Sequence, residues 1–462
     1  MVSRILDGMK GRLPRGSGRF ALIVLLGLPL AAAGGSARAD SAAQAIARLA
    51  AIAVLAASVW PLDLAPLKRY RAFLAGTALA YLLLTLQLVP LPPEWWAALP
   101  GRAPYVEIVR LSGRVVWRPL SVSPDLTVNA LFAMLPASAA LVAALFLDMR
   151  GRIRLALALA MLASGSALLG LIQLAGGGQT LHLYDPSTGD SPVGLFANPN
   201  HHAAFLAALL PAVGASAGLR LRSGARSGTT LGAGLGAVIL VMLTILLTGS
   251  RMGLLLGVVG LAGAIVTFRA AAGRINAFHH QRSRFIALGI TIAAITGLAG
   301  AAVQGGATHR LAASDRLSEI RVAILPPLTK AATAFMPLGA GFGTFDPVYR
   351  RFEPDELLST VYLNEAHDEP MQIAIEGGVP GLALLGLFLL WWARSAWRIV
   401  RWRARASRRR ALAIAALTAT IVLMLSSLVD YPLRTPLCGA LFAIACVEMA
   451  RGAAASDGVE EG

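Results

Sequence analysis

His367 ends the longest polar stretch of the chain, in Leu363-Asn364-Glu365-Ala366-His367-Asp368-Glu369-Pro370. An apolar run starts at Pro370, and proline is favoured in the first turn of a helix, so a helix starts there. A histidine at such a mouth can serve as a general base on a polar substrate delivered by a lipid. Against this, most single histidines are structural or solvated. Arg251 is the second group of interest. It lies in Thr248-Gly249-Ser250-Arg251-Met252-Gly253, a break between two apolar runs too tight for an ordinary loop. A charge at a membrane boundary is costly unless it is paired or used; the plain alternative is a helix-end arginine that snorkels to the headgroups. Arg316 and Arg321 lie five apart in Asp315-Arg316-Leu317-Ser318-Glu319-Ile320-Arg321. On a helix they diverge by about 140°. A surface helix with salt bridges to Asp315 and Glu319 is the ordinary reading of that pattern.

The other polar groups carry less. His201 and His202 are adjacent in Asn198-Pro199-Asn200-His201-His202, so on a helix they point apart, which argues against joint metal ligation. His367-Asp368-Glu369 has no second well-placed ligand group, so no metal and no cofactor is expected. Gly339-Ala340-Gly341-Phe342-Gly343 resembles a dinucleotide loop superficially but lacks a flanking βαβ unit; it is expected to be a turn or a site of close backbone approach. Cys438 and Cys446 lie in an apolar segment and are expected to be buried thiols.

The elements that must position these residues are membrane helices. Of 462 residues 56% are hydrophobic and only 14% are charged, against roughly 25% charged in soluble domains. Apolar runs of about 20 residues can each cross a bilayer. About twelve such segments are predicted, near 20–36, 43–61, 72–91, 127–147, 154–174, 201–218, 229–248, 252–268, 285–303, 370–393, 411–429 and 436–451. The net charge of +17 does not point to nucleic acid, because Lys and Arg concentrate in short loops between apolar runs. With the basic N-terminus inside, the clusters at 68–71, 150–154, 220–226, 269–284 and 394–410 all fall on one face, as the positive-inside rule requires. Three longer polar stretches, about 92–126, 175–200 and 304–369, then lie outside. Ala37-Arg38-Ala39 looks like a signal-peptidase site, and either a cleaved signal or an uncleaved anchor leaves the remaining topology unchanged. The expected organisation is a basic cytoplasmic terminus at 1–19, helices over 20–303, a large outer loop at 304–369, helices over 370–451 and a cytoplasmic tail at 452–462.

Taken in order, several motifs resemble the O-antigen ligase family, which also contains Wzy-type polysaccharide polymerases and O-oligosaccharyltransferases. They are Gly194-Leu195-Phe196-Ala197-Asn198-Pro199-Asn200, Thr248-Gly249-Ser250-Arg251, Arg316 through Arg321 with Arg321-Val322-Ala323-Ile324-Leu325 as Arg-x-x-x-Leu, Pro337 through Phe345, and His367 with Gly378 after ten intervening residues that include Glu376. The resemblance covers about 190–390. It implies an all-α, polytopic, GT-C-like membrane glycosyltransferase in the bacterial inner membrane, with its site facing the periplasm. The implied donor is a glycan on undecaprenyl pyrophosphate, and the acceptor is a hydroxyl of lipid A core or, for a polymerase, of another lipid-linked glycan. The implied reaction is metal-independent and inverting. His367 is then the base; Arg251 and Arg321, with Arg316, hold the pyrophosphate; Asn200, His202, Glu376 and Gly378 are candidate supporting residues. No nucleic-acid partner is expected. A lipid-linked glycan transporter is the alternative of another class. It would place charges near the bilayer midplane on broken helices, whereas these polar groups gather at one outer edge.

Overall fold

The computed structural model describes residues 17–38, 42–58, 67–68, 70–113, 116–176, 181–184, 191–273, 323–358, 363–402 and 407–456. It is all-α. In chain order the helices are α1 (Ser17–Ala33), α2 (Ala42–Ser58), α3 (Arg71–Leu86), α4 (Pro93–Ala98), α5 (Ala103–Ser112), α6 (Pro124–Ala133), α7 (Leu135–Leu145), α8 (Met149–Ala175), α9 (Pro199–Arg222), α10 (Ser227–Leu247) and α11 (Arg251–Ala272). They are followed by α12 (323–335), α13 (Phe345–Tyr349), α14 (Glu369–Arg401), α15 (Arg408–Ser426) and α16 (Pro436–Ser456). Two short strands, β1 (Pro90–Leu91) and β2 (Arg118–Pro119), pair antiparallel. Eight helical spans are long and apolar enough to cross a membrane, with α6 and α7 together forming one of them, and three shorter apolar helices lie within α1, α2 and α3. Eleven of the twelve predicted segments are therefore helical; the twelfth, 285–303, lies outside the described residues.

The bundle is built around α9, which is buried along most of its length. Small residues let its neighbour α11 approach closely, the usual means of helix packing where lipid removes the hydrophobic drive. A Cβ on Gly214 would fall 2.2 Å from the Ala264 carbonyl oxygen, and one on Gly260 would fall 2.3 Å from that of Ala207.

The two ends of the bundle are chemically distinct. At one end Arg152 of α8 pairs with Glu448 of α16 (Nη2–Oε2 2.6 Å), and Arg451 pairs with the same carboxylate (3.1 Å) while donating to the Leu145 carbonyl (2.9 Å). This buried triad ties the α7–α8 corner to the end of α16. At the other end, the C-terminus of α1, the N-termini of α2, α9, α14 and α16 and the α15–α16 connection converge. Leu437 donates to the Gly34 carbonyl (3.0 Å) and Glu369 to that of Ser427 (3.0 Å).

The segment expected as one helix from 370 is broken. Gly378 has φ 57° and ψ −148°, which only glycine adopts at low cost, and its absent Cβ admits the Pro337 carbonyl. The carbonyls freed by the break find partners across the 337–343 loop. Ala340 donates to Ile375 (2.9 Å), Gly341 to Glu376 (2.9 Å), and Val379 donates to Pro337 (2.8 Å). The Gln87 side chain adds a bond to the Glu376 carbonyl (3.0 Å). Close backbone approach is thus the role of the glycine-rich loop. His367 precedes a short helical piece, 369–377, rather than the long membrane helix itself.

Candidate active site

His367 sits one residue before the N-cap of α14, where the Asp368 carboxylate accepts from the Met371 amide (2.9 Å). Its backbone is left-handed, φ 52°. That region is uncommon for a residue with a Cβ, and such outliers concentrate where the surroundings over-determine a functional geometry. The side chain is about one-quarter exposed, and its Nδ1 lies 3.2 Å from Asp430 Oδ1 in the α15–α16 connection. The two atoms are within contact distance without well-formed hydrogen-bond geometry. Catalytic contacts in unliganded sites are often misaligned in this way and tighten on substrate binding. The same Asp430 oxygen lies 3.2 Å from His201 Nε2 and accepts from the Tyr431 amide (2.9 Å). Both imidazoles meet the Tyr431 ring edge-on, each at 4.8 Å between centroids. One carboxylate oxygen and one phenol ring therefore fix two histidines.

Burial alone would raise the Asp430 carboxyl, but the His201 and His367 imidazoles outweigh it and hold this acid well below the ordinary carboxylate range. Asp430 is an anion at neutral pH. Burial, joined by the Asp430 charge, raises the Tyr431 phenol above its ordinary value, so it stays protonated. An anionic Asp430 facing Nδ1 favours the tautomer with its proton on that nitrogen, which leaves Nε2 as the basic atom.

Beneath this pair, Arg434 gathers three carboxylates. Its Nε lies 3.2 Å from Glu369 Oε1, Nη1 lies 3.5 Å from Glu365 Oε2, and Nη2 lies 3.5 Å from Glu376 Oε2. Burial opposes its charge, yet these carboxylates raise its pKa above the ordinary arginine value. Gln372 links the set. Its Nε2 donates to Glu365 and, at 3.3 Å, to Glu376, while its Oε1 accepts from the Ala366 amide (2.8 Å). Arg434 and Gln372 thus clamp the residues on both sides of His367 to the connection that carries Asp430.

The predicted residues are distributed unevenly. His367 and Glu376 belong to this group, Glu376 through Arg434 and through a bond from the Phe345 amide (3.1 Å). Gly378 acts through the backbone break. Arg251 opens α11 beside its N-cap Ser250, whose hydroxyl accepts from the Gly253 amide (3.0 Å). Gly253 packs against Ala203, two residues beyond His201, so Arg251 stands at the same end of the bundle. Arg316 and Arg321 lie outside the described residues. His202 is turned elsewhere: it is fully buried, with Nε2 3.0 Å from Ser166 Oγ and Nδ1 2.9 Å from the Pro192 carbonyl. Asn200 donates its backbone amide to the Asn198 cap (2.8 Å) in the first turn of α9. Among the described residues the charged group in contact with His367 is the Asp430 carboxylate. Asp430, Tyr431 and Arg434 were missed. The signal was present, because Asp430-Tyr431-Pro432-Leu433-Arg434 puts two charges in a short connection between apolar runs, the same pattern that singles out Arg251.

Residues 236–386 match a family model described as O-antigen ligase. That span includes Arg251, Arg316, Arg321, His367, Glu376 and Gly378, and it excludes His201 and Asp430. No curated protein matches the chain.

Proposed function

We propose, for a chain whose residues 236–386 belong to the O-antigen ligase family, that it is a membrane glycosyltransferase acting on a lipid-linked glycan. The donor is a glycan on undecaprenyl pyrophosphate and the acceptor is a sugar hydroxyl of lipid A core. The site faces the periplasm from the bacterial inner membrane, with 304–369 as its outer loop. The observation that carries this reading is the contact of His367 with the anionic Asp430 at one end of a membrane bundle.

In the proposed step the acceptor oxygen attacks the anomeric carbon and its proton passes to His367 Nε2. The bond from the anomeric carbon to the phosphate oxygen breaks, and undecaprenyl pyrophosphate leaves with the electron pair. Asp430 orients the imidazole and compensates the charge that it gains. His201 and Tyr431 position Asp430 and the ring. The growing charge on the leaving group requires cations, and the guanidinium fork suits phosphate oxygens. Arg251, Arg321 and Arg316 have that role here.

The test is single-turnover transfer from a purified lipid-linked donor. Removing a general base typically costs about 10²–10⁴-fold, so His367→Ala is expected to lose at least about 10²-fold while it still binds donor. A folded, donor-binding His367→Ala variant that keeps more than about a tenth of the rate sinks the assignment. Recovery of intact donor moved across a vesicle membrane, with no pyrophosphate released, would make the chain a transporter.

A further inference from the structure

Three arginines in the polar segments next to the site alternate with aromatic rings and have no carboxylate partner among the described residues. The Arg351 guanidinium lies 5.8 Å from the Phe335 ring centre, and Arg102 lies 5.2 Å from the same ring. Arg102 is also 5.7 Å from Trp96, and Arg118 is 5.5 Å from Trp96. Arg351 further covers Tyr105 at 4.9 Å. The order is therefore Arg351, Phe335, Arg102, Trp96, Arg118.

Several features separate this ladder from an ordinary structural arginine. Arg102 is 1% exposed and donates to the Leu120 carbonyl, yet its Nε and Nη1 are buried without partners, as is Arg118 Nε. Unpartnered buried cations are costly, and like charges flanking one ring add repulsion. Burial lowers the Arg102 pKa to about 10; Tyr105 opposes it, and the nearby Arg351 cation adds a lesser lowering. Elsewhere among the described residues, the buried Arg152 and Arg451 share Glu448, and the partly exposed Arg434 is matched by three glutamates. The ladder also reaches solvent. Arg351 is exposed, and Trp95 and Trp117, neighbours in sequence of Trp96 and Arg118, are 68% and 64% exposed.

The ladder connects to the proposed site. Phe335 starts the segment whose Ala340 and Gly341 bond to Ile375 and Glu376, on the helical piece that follows His367. Val122, four residues beyond Arg118, donates to the Ala340 carbonyl (2.9 Å).

We propose that this ladder binds an acidic saccharide, the phosphate- or carboxylate-bearing part of the acceptor glycan. Guanidinium forks supply paired donors to an oxyanion, and the exposed Trp95 and Trp117 rings can stack on the C–H faces of sugars. This deepens the glycosyl-transfer reading and rests on it. An acceptor whose anionic group docks here would present its hydroxyl from the His367 side of the 337–343 loop.

The test is calorimetric titration of the full chain in a neutral detergent with an oligosaccharide that bears one phosphate monoester, and with the same oligosaccharide after phosphatase treatment. The phosphorylated form is expected to bind more tightly, and Arg351→Gln to weaken it about tenfold, the loss of one charge-assisted bond. The neutral form should be unaffected. Arg118→Gln should act in the same direction. Arg110→Gln, on the exposed face of α5, controls for loss of charge alone. Equal affinity for the two saccharides, or Arg351→Gln behaving like Arg110→Gln, overturns the proposal. Short-chain phosphatidylglycerol in the micelle is the competing source of phosphate; binding of that lipid lost in Arg351→Gln, with no preference between saccharides, would assign the ladder to headgroups and overturn it too. These arms need no turnover. Wild-type protein that prefers the phosphorylated saccharide but transfers nothing would sink the glycosyl-transfer reading and leave the anion site standing.

Discussion

Asp430→Asn isolates the electrostatic contribution of the dyad from its packing. The asparagine carbonyl can keep the place of Oδ1, which accepts from the Tyr431 amide at 2.9 Å and lies 3.2 Å from both imidazoles. Its amide nitrogen then falls where Oδ2 has no partner. Shape is preserved and charge is lost. On substrate binding the His367–Asp430 contact is expected to tighten into a hydrogen bond; such bonds to charged groups contribute about 1.5–3 kcal/mol against about 0.5–1.5 for neutral ones, so this rotamer predicts a loss of about 1–2 kcal/mol at the transition state, roughly 5–30-fold in rate. If the amide flips, an N–H faces Nδ1 and the imidazole is held with its proton on Nε2. The base is then blocked, and the loss approaches ~10⁴-fold, as when the orienting acid of a catalytic triad becomes its amide. The expected outcome is a fall of at least about fivefold in single-turnover transfer, with donor binding retained. Thermal unfolding is the companion measurement. Because the folded-state pKa of Asp430 is depressed, its contribution to stability is present above the unfolded value of ~3.9 and is lost only as pH falls through the lower folded value. The stability deficit of Asp430→Asn should therefore be present at neutral pH and disappear only as pH falls below ~3.9 into strong acid. A variant that transfers within about twofold of wild type would refute the dyad, because even the smaller electrostatic loss exceeds that.

Other substitutions separate the remaining roles. Arg251→Lys keeps the charge but removes the bidentate fork, so transfer should fall about tenfold or more with normal membrane insertion; near wild-type turnover would reduce Arg251 to a point charge or an anchor. Gly378→Ala must place a Cβ 2.2 Å from the Pro337 carbonyl at φ 57°, so detergent-solubilised protein should lose more than about 1 kcal/mol of stability, read as a lower melting temperature. Arg434→Met leaves Glu365, Glu369 and Glu376 without their shared cation and is expected to cost about 3–5 kcal/mol; unchanged melting would show that those carboxylates are neutral or solvated. Impermeant labelling of Ser407→Cys but not Ser359→Cys in intact spheroplasts would invert the proposed topology.

The helices were legible because hydropathy and the spacing of basic loops depend on the bilayer and not on tertiary detail. Some boundaries moved, as where α8 extends to Met149 through Asp148, which caps it by accepting from the Gly151 amide (2.7 Å), and short helices α4, α5, α12 and α13 lie in stretches read as outer loops. The break at Gly378 was not legible. Its backbone is satisfied by residues 337–341 and by Gln87, some 290 positions away, and no local pattern encodes that rescue. The site divides in the same way. His367 announced itself by its place before Pro370, whereas its partner Asp430 lies across two membrane helices. Arg434 and Asp430 needed only the test already applied to Arg251, charge in a tight connection between apolar runs. His201 and His202 point apart on the helix, as their adjacency implies, toward Asp430 and Ser166 respectively.

The distribution of charge around His367 bears on the proposed chemistry. The charged group in contact with the imidazole is the anionic Asp430, and Glu365, Glu369 and Glu376 share Arg434 close by, so this side of the site is lined by acids. A pyrophosphate bound there would meet like charge, which costs several kcal/mol at close approach even at an effective dielectric of ~20. The leaving group must therefore lie away from this cluster. An inverting displacement has that requirement of its own, because base and leaving group occupy opposite faces of the anomeric carbon. In the proposed step the acids behind the base stabilise the imidazolium as it forms, and Arg251 is proposed to stabilise the departing phosphate from the other face. Moving a carboxylate to the Arg251 side, as in Met252→Glu, should then depress transfer more than the same charge added at an exposed position remote from both faces, such as Val400→Glu on α14. Equal effects of the two substitutions would mean that the leaving group does not lie on the Arg251 side.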